Sequence, residues 1–365
     1  MKVLYMGFID INSDNHIGVR KKIFGQINAM KRNQLEVDYL LHNDNNLEYY
    51  SGDKVINLGK YTNTINRRMN MLSNNLIDTI NKQGVDIIYI RYPLSDILFI
   101  NFIKKLKQNN KKVYIEIPTY PYDSELKPTT LIIDKLFRSS IRKYTDYIVT
   151  SSGKYESIFN TPCKFIDNCV DFGDIKFVEH LYDENKKEIN LISVAFLNYW
   201  HGYDRVIEGL YEYYKEANNK YDIKFIIVGH GGDYCNLKEL VKKYNLNDKV
   251  KFMGIQNGME LDRLFEKSDI AISSIAIHRK NMSSVSSLKS REYCARGIPF
   301  IYAGDDPGFL GLEEFLLQIG SDDSYIDMNN IITFYNKLSN IKDVSNKMRL
   351  FAEKNFKWDV YYKNL

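Results

Sequence analysis

The chain has 365 residues, 44% of them hydrophobic and 26% charged, and a formal net charge of +4. That length exceeds what one compact core usually organises, and the composition lies outside the disordered and fibrous classes, so two α/β domains of similar size are expected. The charge is uneven, with 24 Lys/Arg against 17 Asp/Glu in residues 1–170 and 26 against 29 in the rest, but no aromatic-basic module or recognition helix accompanies it, so no nucleic-acid partner is expected.

In chain order, residues 1–7 read as a short apolar strand without the charged start and long apolar core of a signal peptide. A polar loop over 7–18, a helical spacing over 19–30 and a strand over 35–41 make a βαβ opening. Strands at 86–90, 112–117 and 147–150 then alternate with helices at 97–107 and 131–144, and 165–170 reads as a further strand. A charged, weakly periodic stretch at 171–190 connects two domains. The alternation restarts with strands at 190–195, 223–228, 250–253, 269–274 and 299–303 and helices at 204–217, 237–244, 259–267 and 287–296. Such alternation predicts two Rossmann-like parallel sheets whose strand ends, and therefore whose binding loops, face a central cleft.

Cys163, Cys169, Cys235 and Cys294 are scattered and form no metal or disulfide pattern, so no metal is expected and a cytoplasmic location fits. No apolar run approaches the roughly 20 residues that span a bilayer. The basic residues Arg20, Lys21, Lys22, Arg67 and Arg68 and the run Lys104, Lys105, Lys107, Lys111, Lys112 are either a solvated face or a peripheral contact with an anionic membrane at its inner face.

The densest chemistry lies in 283–299. A serine-rich loop enters a helix whose free amides and positive dipole end favour an anion, with Ser286 or Ser287 as N-cap and Lys289 adding a full charge in the first turn. Glu292, on the same face, offers a carboxylate suited to the two hydroxyls of a ribose. Gly297 ends the helix and Pro299 opens the next strand. The same residues also suit an ordinary capped helix with an exposed Lys289–Glu292 pair.

Leu288, Lys289, Glu292, Tyr293, Ala295, Gly297 and Pro299 match the string Leu-Lys-x-x-Glu-Tyr-x-Ala-x-Gly-x-Pro, and in this the chain resembles family 4 of the retaining glycosyltransferases, which have the GT-B architecture. Further matches run in order through both halves: Asn15-His16-Ile17-Gly18 resembles the family's first glycine loop, Asn168-Cys169-Val170-Asp171 its domain junction, His201-Gly202-Tyr203-Asp204 the start of its first C-domain helix, Gly229-His230-Gly231-Gly232 its glycine turn, and Asn355-Phe356-Lys357-Trp358 its terminal crossover. The resemblance implies an N-terminal acceptor domain at 1–172, onto which a last helix at about 350–365 packs back, and a nucleotide-sugar domain at 173–349. It implies a donor site of Gly18, Gly229, Ser284, Ser286, Ser287, Leu288, Lys289 and Glu292, with the backbone amides and Lys289 on the diphosphate and Glu292 on the ribose. The chain departs from the pattern where Ser284 replaces a Glu near the donor sugar and where His201 replaces a Lys of the phosphate clamp. A protonated His201 could supply part of the missing charge, since a bound diphosphate raises a histidine pKa; an exposed turn residue is the alternative.

For the acceptor, the segment 115–125, which leaves the end of the strand at 112–117, offers Glu116, Tyr120, Tyr122, Asp123 and Glu125, and Arg91 stands just past another strand end. The expected activity is transfer of a sugar from a nucleotide sugar to a glycan or lipid-linked oligosaccharide in bacterial surface polysaccharide synthesis, with Lys289 and His201 stabilising the leaving diphosphate and no obligatory metal. A member that binds without turnover, and a sugar-nucleotide epimerase of the same architecture, are the alternatives.

Overall fold

The computed structural model describes residues 1–13, 17–216, 219–284 and 286–363. The chain divides into two compact units, Met1–Asp167 with Trp358–Leu365, and Asn168–Lys357.

The first unit contains β1 (Lys2–Asp10), α1 (Ile17–Arg32), β2 (Glu36–Asn43), β3 (Asn46–Ser51), β4 (Lys54–Lys60), α2 (Thr64–Met71), α3 (Asn74–Lys82), β5 (Ile87–Arg91), α4 (Ile97–Gln108), β6 (Lys112–Ile117), α5 (Pro128–Phe137), β7 (Tyr147–Thr150), β8 (Ser157–Ile158) and β9 (Thr161–Phe165). Its sheet runs in the order β4-β3-β2-β1-β5-β6-β7-β9-β8. It is parallel from β2 to β9 and antiparallel at both margins. The central strands are buried on both faces, which is why they read as unbroken apolar runs rather than as alternation. Phe99, Phe102, Ile103 and Leu106 of α4 cover one face.

The second unit contains β10 (Glu188–Val194), α6 (Tyr203–Tyr214), β11 (Asp222–Val228), α7 (Tyr234–Lys243), β12 (Val250–Gly254), α8 (Gly258–Glu266), β13 (Ile270–Ile272), α9 (Leu288–Arg296), β14 (Phe300–Ala303), β15 (Leu316–Ile319), α10 (Met328–Leu338) and α11 (Val344–Asn355). All six strands pair in parallel, in the order β12-β11-β10-β13-β14-β15. A last short helix, α12 (Asp359–Tyr362), returns to the first unit.

Several expectations need correction. The strand expected at 165–170 is displaced: β9 ends at Phe165 because it closes a tight hairpin with β8, and beyond it Val170 makes one isolated bridge to Lys357. The unit boundary therefore falls after Asp167 rather than at 172. The helix expected at 131–144 begins at Pro128, in the position where a missing amide is harmless, and passes into a 3-10 segment, Arg138–Lys143. The helix expected to pack back on the first unit divides: α11 belongs to the second unit, where Arg349 donates to the Ala295 carbonyl at 2.9 Å, and the first unit takes up the chain from Trp358 onward. Residues 42–85, left unassigned by the apolar pattern, form an antiparallel hairpin and two helices.

The basic residues singled out from the sequence divide: Lys21, Lys104, Lys105 and Lys112 are exposed, while others are paired. Lys22 is buried and paired with Glu116 at 2.9 Å, Arg68 is paired with Asp96, and Lys107 with Asp146 at 2.9 Å. Among the described residues no helix is long and apolar enough to cross a membrane.

Candidate functional site

α9 is fixed from its buried side. The Ser290 and Ser273 hydroxyls share a hydrogen bond of 2.7 Å. The Tyr293 hydroxyl accepts the Val194 amide at 3.1 Å and donates to the Ile272 carbonyl at 3.4 Å. Val194 and Ile272 are the last residues of β10 and β13, so the helix is pinned to the carboxyl ends of two neighbouring strands, where parallel sheets bind ligands. Gly297 terminates it in the left-handed region, at φ +84°.

The start of the helix departs from expectation. Ser287 occupies the N-cap position with extended backbone, but its side chain makes no capping hydrogen bond. Ser286 is committed elsewhere: its hydroxyl accepts the Asn168 amide at 3.2 Å and its carbonyl accepts Asn168 Nδ2 at 2.6 Å. Uncapped first-turn amides carry the partial positive charge of the helix end and suit an anion. Ser284 is exposed and pairs through its backbone with Asp305, and Leu288 is the half-buried first helical residue. Val285 lies outside the described residues, as do Asn15 and His16 of the first glycine loop.

Lys289 projects from the first turn over the ring of Tyr203, with Nζ 5.6 Å from the centroid, and donates to the Tyr203 hydroxyl at 3.2 Å. It has no carboxylate partner among the described residues, and burial lowers its pKa from 10.5 to about 7. An anion placed here would reverse that shift. His201 also stacks on Tyr203, rings 5.5 Å apart and 27° from parallel. It is 8% exposed, so it is not a solvated turn residue. Its Nδ1 accepts the Asn198 amide at 3.3 Å. Desolvation, then the charges of Lys289 and Lys280, hold its pKa well below 6.5. The exposed turn residue is therefore set aside, and the ring is held neutral while no anion is bound; a diphosphate placed beside it would raise its pKa again.

Glu292 and Lys289 do not pair. Glu292 Oε1 takes Arg296 Nη2 at 2.9 Å, one helical turn on, and Arg296 Nη1 reaches Asp262 at 2.7 Å. Glu292 is half-buried and held by Arg296 in one orientation. Tyr203 and Asn168 entered the sequence reading only as members of matched motifs, with no role at the site, and Arg296 was given none. The i,i+4 spacing of Glu292 and Arg296 was a readable signal; the two longer-range contacts left none.

Gly229 is required by packing. Its φ is +126°, and a Cβ there would stand 1.8 Å from the Ala195 carbonyl oxygen. This close approach lets the loop after β11 bond the loop after β10, with the Leu197 amide donating to the His230 carbonyl at 2.9 Å. Gly18, by contrast, is the second residue of α1 rather than part of a loop, is exposed, and has open space where a Cβ would go.

The acceptor candidates sit in the first unit, and the structure does not leave them all available. Tyr122 is 6% exposed, with its hydroxyl donated to Asp134 at 2.6 Å, so it is a core residue. Tyr120 packs against Tyr155 and Phe159. Asp123 is paired with Arg138 at 2.7 Å and Lys135 at 3.0 Å. Glu116 is buried, receiving Lys22 at 2.9 Å, the Tyr5 hydroxyl at 3.0 Å and Gln26 at 3.3 Å. Arg91, at the end of β5, is 3.9 Å from that carboxylate, and its Nη1 is buried with no hydrogen-bond partner among the described residues. Of these five, Arg91 keeps the most unused donor capacity. Among the described residues no group of three or more His, Cys, Asp or Glu converges to hold a metal ion.

Residues 176–309 match the family model described as glycosyl transferases group 1. No curated protein matches the chain. Solved structures do, along nearly the full length. Sucrose-phosphate synthase from Thermosynechococcus elongatus is 14% identical, with a TM-score of 0.66, covering 99% of this chain and 96% of the other. The catalytic domain of starch synthase IV from Arabidopsis thaliana, bound to ADP and acarbose, is 10% identical at a TM-score of 0.66, covering 99% and 97%. A glycosyltransferase involved in lipopolysaccharide biosynthesis is 10% identical at 0.59, covering 100% and 95%. The fold is thus GT-B, with two parallel-sheet α/β domains. Together the matched domain and this fold support a nucleotide-sugar glycosyltransferase.

Proposed function

We propose that the chain transfers a glycosyl group from a nucleoside-diphosphate sugar, held at the start of α9, to a glycan or lipid-linked oligosaccharide recognised by the first unit. The observation that carries this reading is the first turn of α9, which the Ser287 side chain does not cap, with Lys289 beside it paired with no carboxylate among the described residues. Fixed amide dipoles and a cation that gains its proton as the diphosphate arrives would stabilise the charge that develops on the leaving group. Glu292, oriented by Arg296, would receive the ribose hydroxyls. Transfer is assigned retention: the donor phosphate accepts the acceptor's proton on the face from which it departs, so no protein base is needed. No step is assigned to a metal. The likeness to a lipopolysaccharide enzyme favours an acceptor from bacterial surface polysaccharide, made at the cytoplasmic side of the membrane.

Nucleoside diphosphate release from a panel of UDP and GDP sugars, with and without acceptor extract, tests this. Acceptor-dependent release with at least one donor is expected; hydrolysis-free silence with every donor opposes it. A second reading, binding without turnover, is favoured by Ser284 in place of a carboxylate and by the neutral His201. Tight donor binding with no transfer would select it.

A further inference from the structure

α5 is built inside out. Asp134 is its buried residue, at 0% exposure, while Ile132, Ile133 and Leu136 are 61%, 48% and 71% exposed. The inward aspartate is fully engaged: Oδ1 accepts the Tyr92 hydroxyl at 2.6 Å and the Ser95 amide at 2.7 Å, and Oδ2 accepts the Tyr122 hydroxyl at 2.6 Å. Polar bonds through Asp134, with Phe137 packed on the core at the last turn, thus seat the helix, and Ile132, Ile133 and Leu136 face outward. The Ser95 bond also sets α5 beside the first turn of α4, where Ile97 and Leu98 are 53% and 40% exposed. Single exposed aliphatics are ordinary on a protein surface, whereas a group of five on two adjoining helices marks an interface.

The charge around this face identifies its partner. Residues 127–143 contain five Lys/Arg and one acidic residue, and that acid is the buried Asp134. Lys127, Arg142 and Lys143 are exposed at the two ends of the stretch, while Arg138 and Lys135 neutralise Asp123. An aliphatic face with a cationic margin complements an anionic bilayer: the side chains of Ile132, Ile133 and Leu136 reach the acyl boundary while the ammonium and guanidinium groups meet lipid phosphates. We propose that α5 and the first turn of α4 dock the protein on an anionic membrane surface. Docking of this kind requires no donor, so it stands or falls separately from glycosyl transfer.

Co-sedimentation of the full chain with vesicles tests it. The protein should bind vesicles of phosphatidylcholine mixed with phosphatidylglycerol and leave vesicles of phosphatidylcholine alone. Ile132→Ser combined with Leu136→Ser should lower the bound fraction about tenfold, as should Arg142→Gln combined with Lys143→Gln, with thermal melting and nucleotide binding unchanged in both. Equal binding by wild type and variants, or no preference for the anionic vesicles, would overturn the proposal. So would a lipid-free dimer in sedimentation velocity that Leu136→Ser dissolves, since a second copy would then be what covers this face.

Discussion

Lys289 is the residue whose chemistry is most exposed to measurement. Its folded pKa of about 7 lies below the ordinary 10.5 because burial disfavours the ammonium. A bound diphosphate favours it again, so nucleotide binding at pH 8 should take up close to one proton, seen as a buffer-dependent calorimetric enthalpy, and affinity should fall as pH rises above 7. The same shift has a stability sign. Between pH 7 and 10.5 the unfolded chain holds a proton here that the folded chain does not, so this residue makes stability rise with pH across that window. Lys289→Met should therefore melt higher than wild type near pH 7, with the gain gone above about pH 10.5, while losing nucleotide affinity by about 1 to 3 kcal/mol. Glu292→Ala should weaken nucleotide binding by a similar amount with the fold intact, because Arg296 retains Asp262. Unchanged affinity in both variants would remove the support for this site.

Two glycines matched to one family pattern separate at the same scale. Gly229→Ala should destabilise by about 2 to 4 kcal/mol, since both the backbone conformation and the Ala195 carbonyl oppose a Cβ. Gly18→Ala should leave melting unchanged or raise it slightly, as helical glycine to alanine gains up to about 1 kcal/mol. Lost activity in Gly18→Ala without lost stability would then report a close approach of substrate to the start of α1.

Among the elements, the parallel-sheet strands and the helices that cover them were legible because strands buried on both faces are unbroken apolar runs, and helices with one buried face keep a 3.6 period. The hairpin β3–β4 was less so. Its strands carry a weaker, mixed pattern, and the Ser51-Gly52-Asp53 turn, with Gly52 at φ +56°, was the available signal. In 283–299 the sequence named the right helix and its charged residues, but not their partners. Whether Ser286 caps α9 or is drawn to Asn168, and whether Glu292 faces Lys289 or Arg296, depends on chain segments far away or on rotamer choice. The acceptor segment failed for the same reason: Glu116, near the end of β6, and Tyr122, in the loop after it, are polar residues at a strand end, yet their hydrogen-bond partners hold them in the core.

The cluster around Glu116 makes this quantitative. Burial raises its pKa, but Lys22 and Arg91, with the hydrogen bonds from Lys22 and Tyr5, outweigh that and hold the carboxyl below its ordinary value. Its contribution is therefore present above about pH 4.5 and lost as pH falls through the lower folded pKa. Glu116→Gln should destabilise the first unit by about 3 to 5 kcal/mol in urea unfolding at neutral pH, because Lys22 is left buried without its counter-charge, and the loss should shrink in acid.

For the whole molecule, the division into two units predicts that their stabilities separate. The second unit is one continuous stretch, and every described donor candidate except Gly18 lies in it. The first unit is completed by the chain's end: Trp358 and Tyr362 are each 1% exposed, Lys22 lies 5.7 Å from the Trp358 ring centroid, and Arg32 bonds Asp359 at 2.7 Å. Truncation after Lys357 should thus lower the melting transition of the first unit by removing about 3 to 5 kcal/mol of aromatic burial, and leave nucleotide binding by the second within about twofold. A loss of both together would show that the units are not thermodynamically separable.

The central claim is that α9 begins at the phosphates of an activated sugar. A crystal structure with a UDP or GDP sugar tests it most directly. The account predicts a phosphate within hydrogen-bond distance of the first-turn amides and of Lys289 Nζ, with the ribose on Glu292; a nucleotide bound elsewhere, or Glu292 still closed on Arg296 with no ribose beside it, would contradict it.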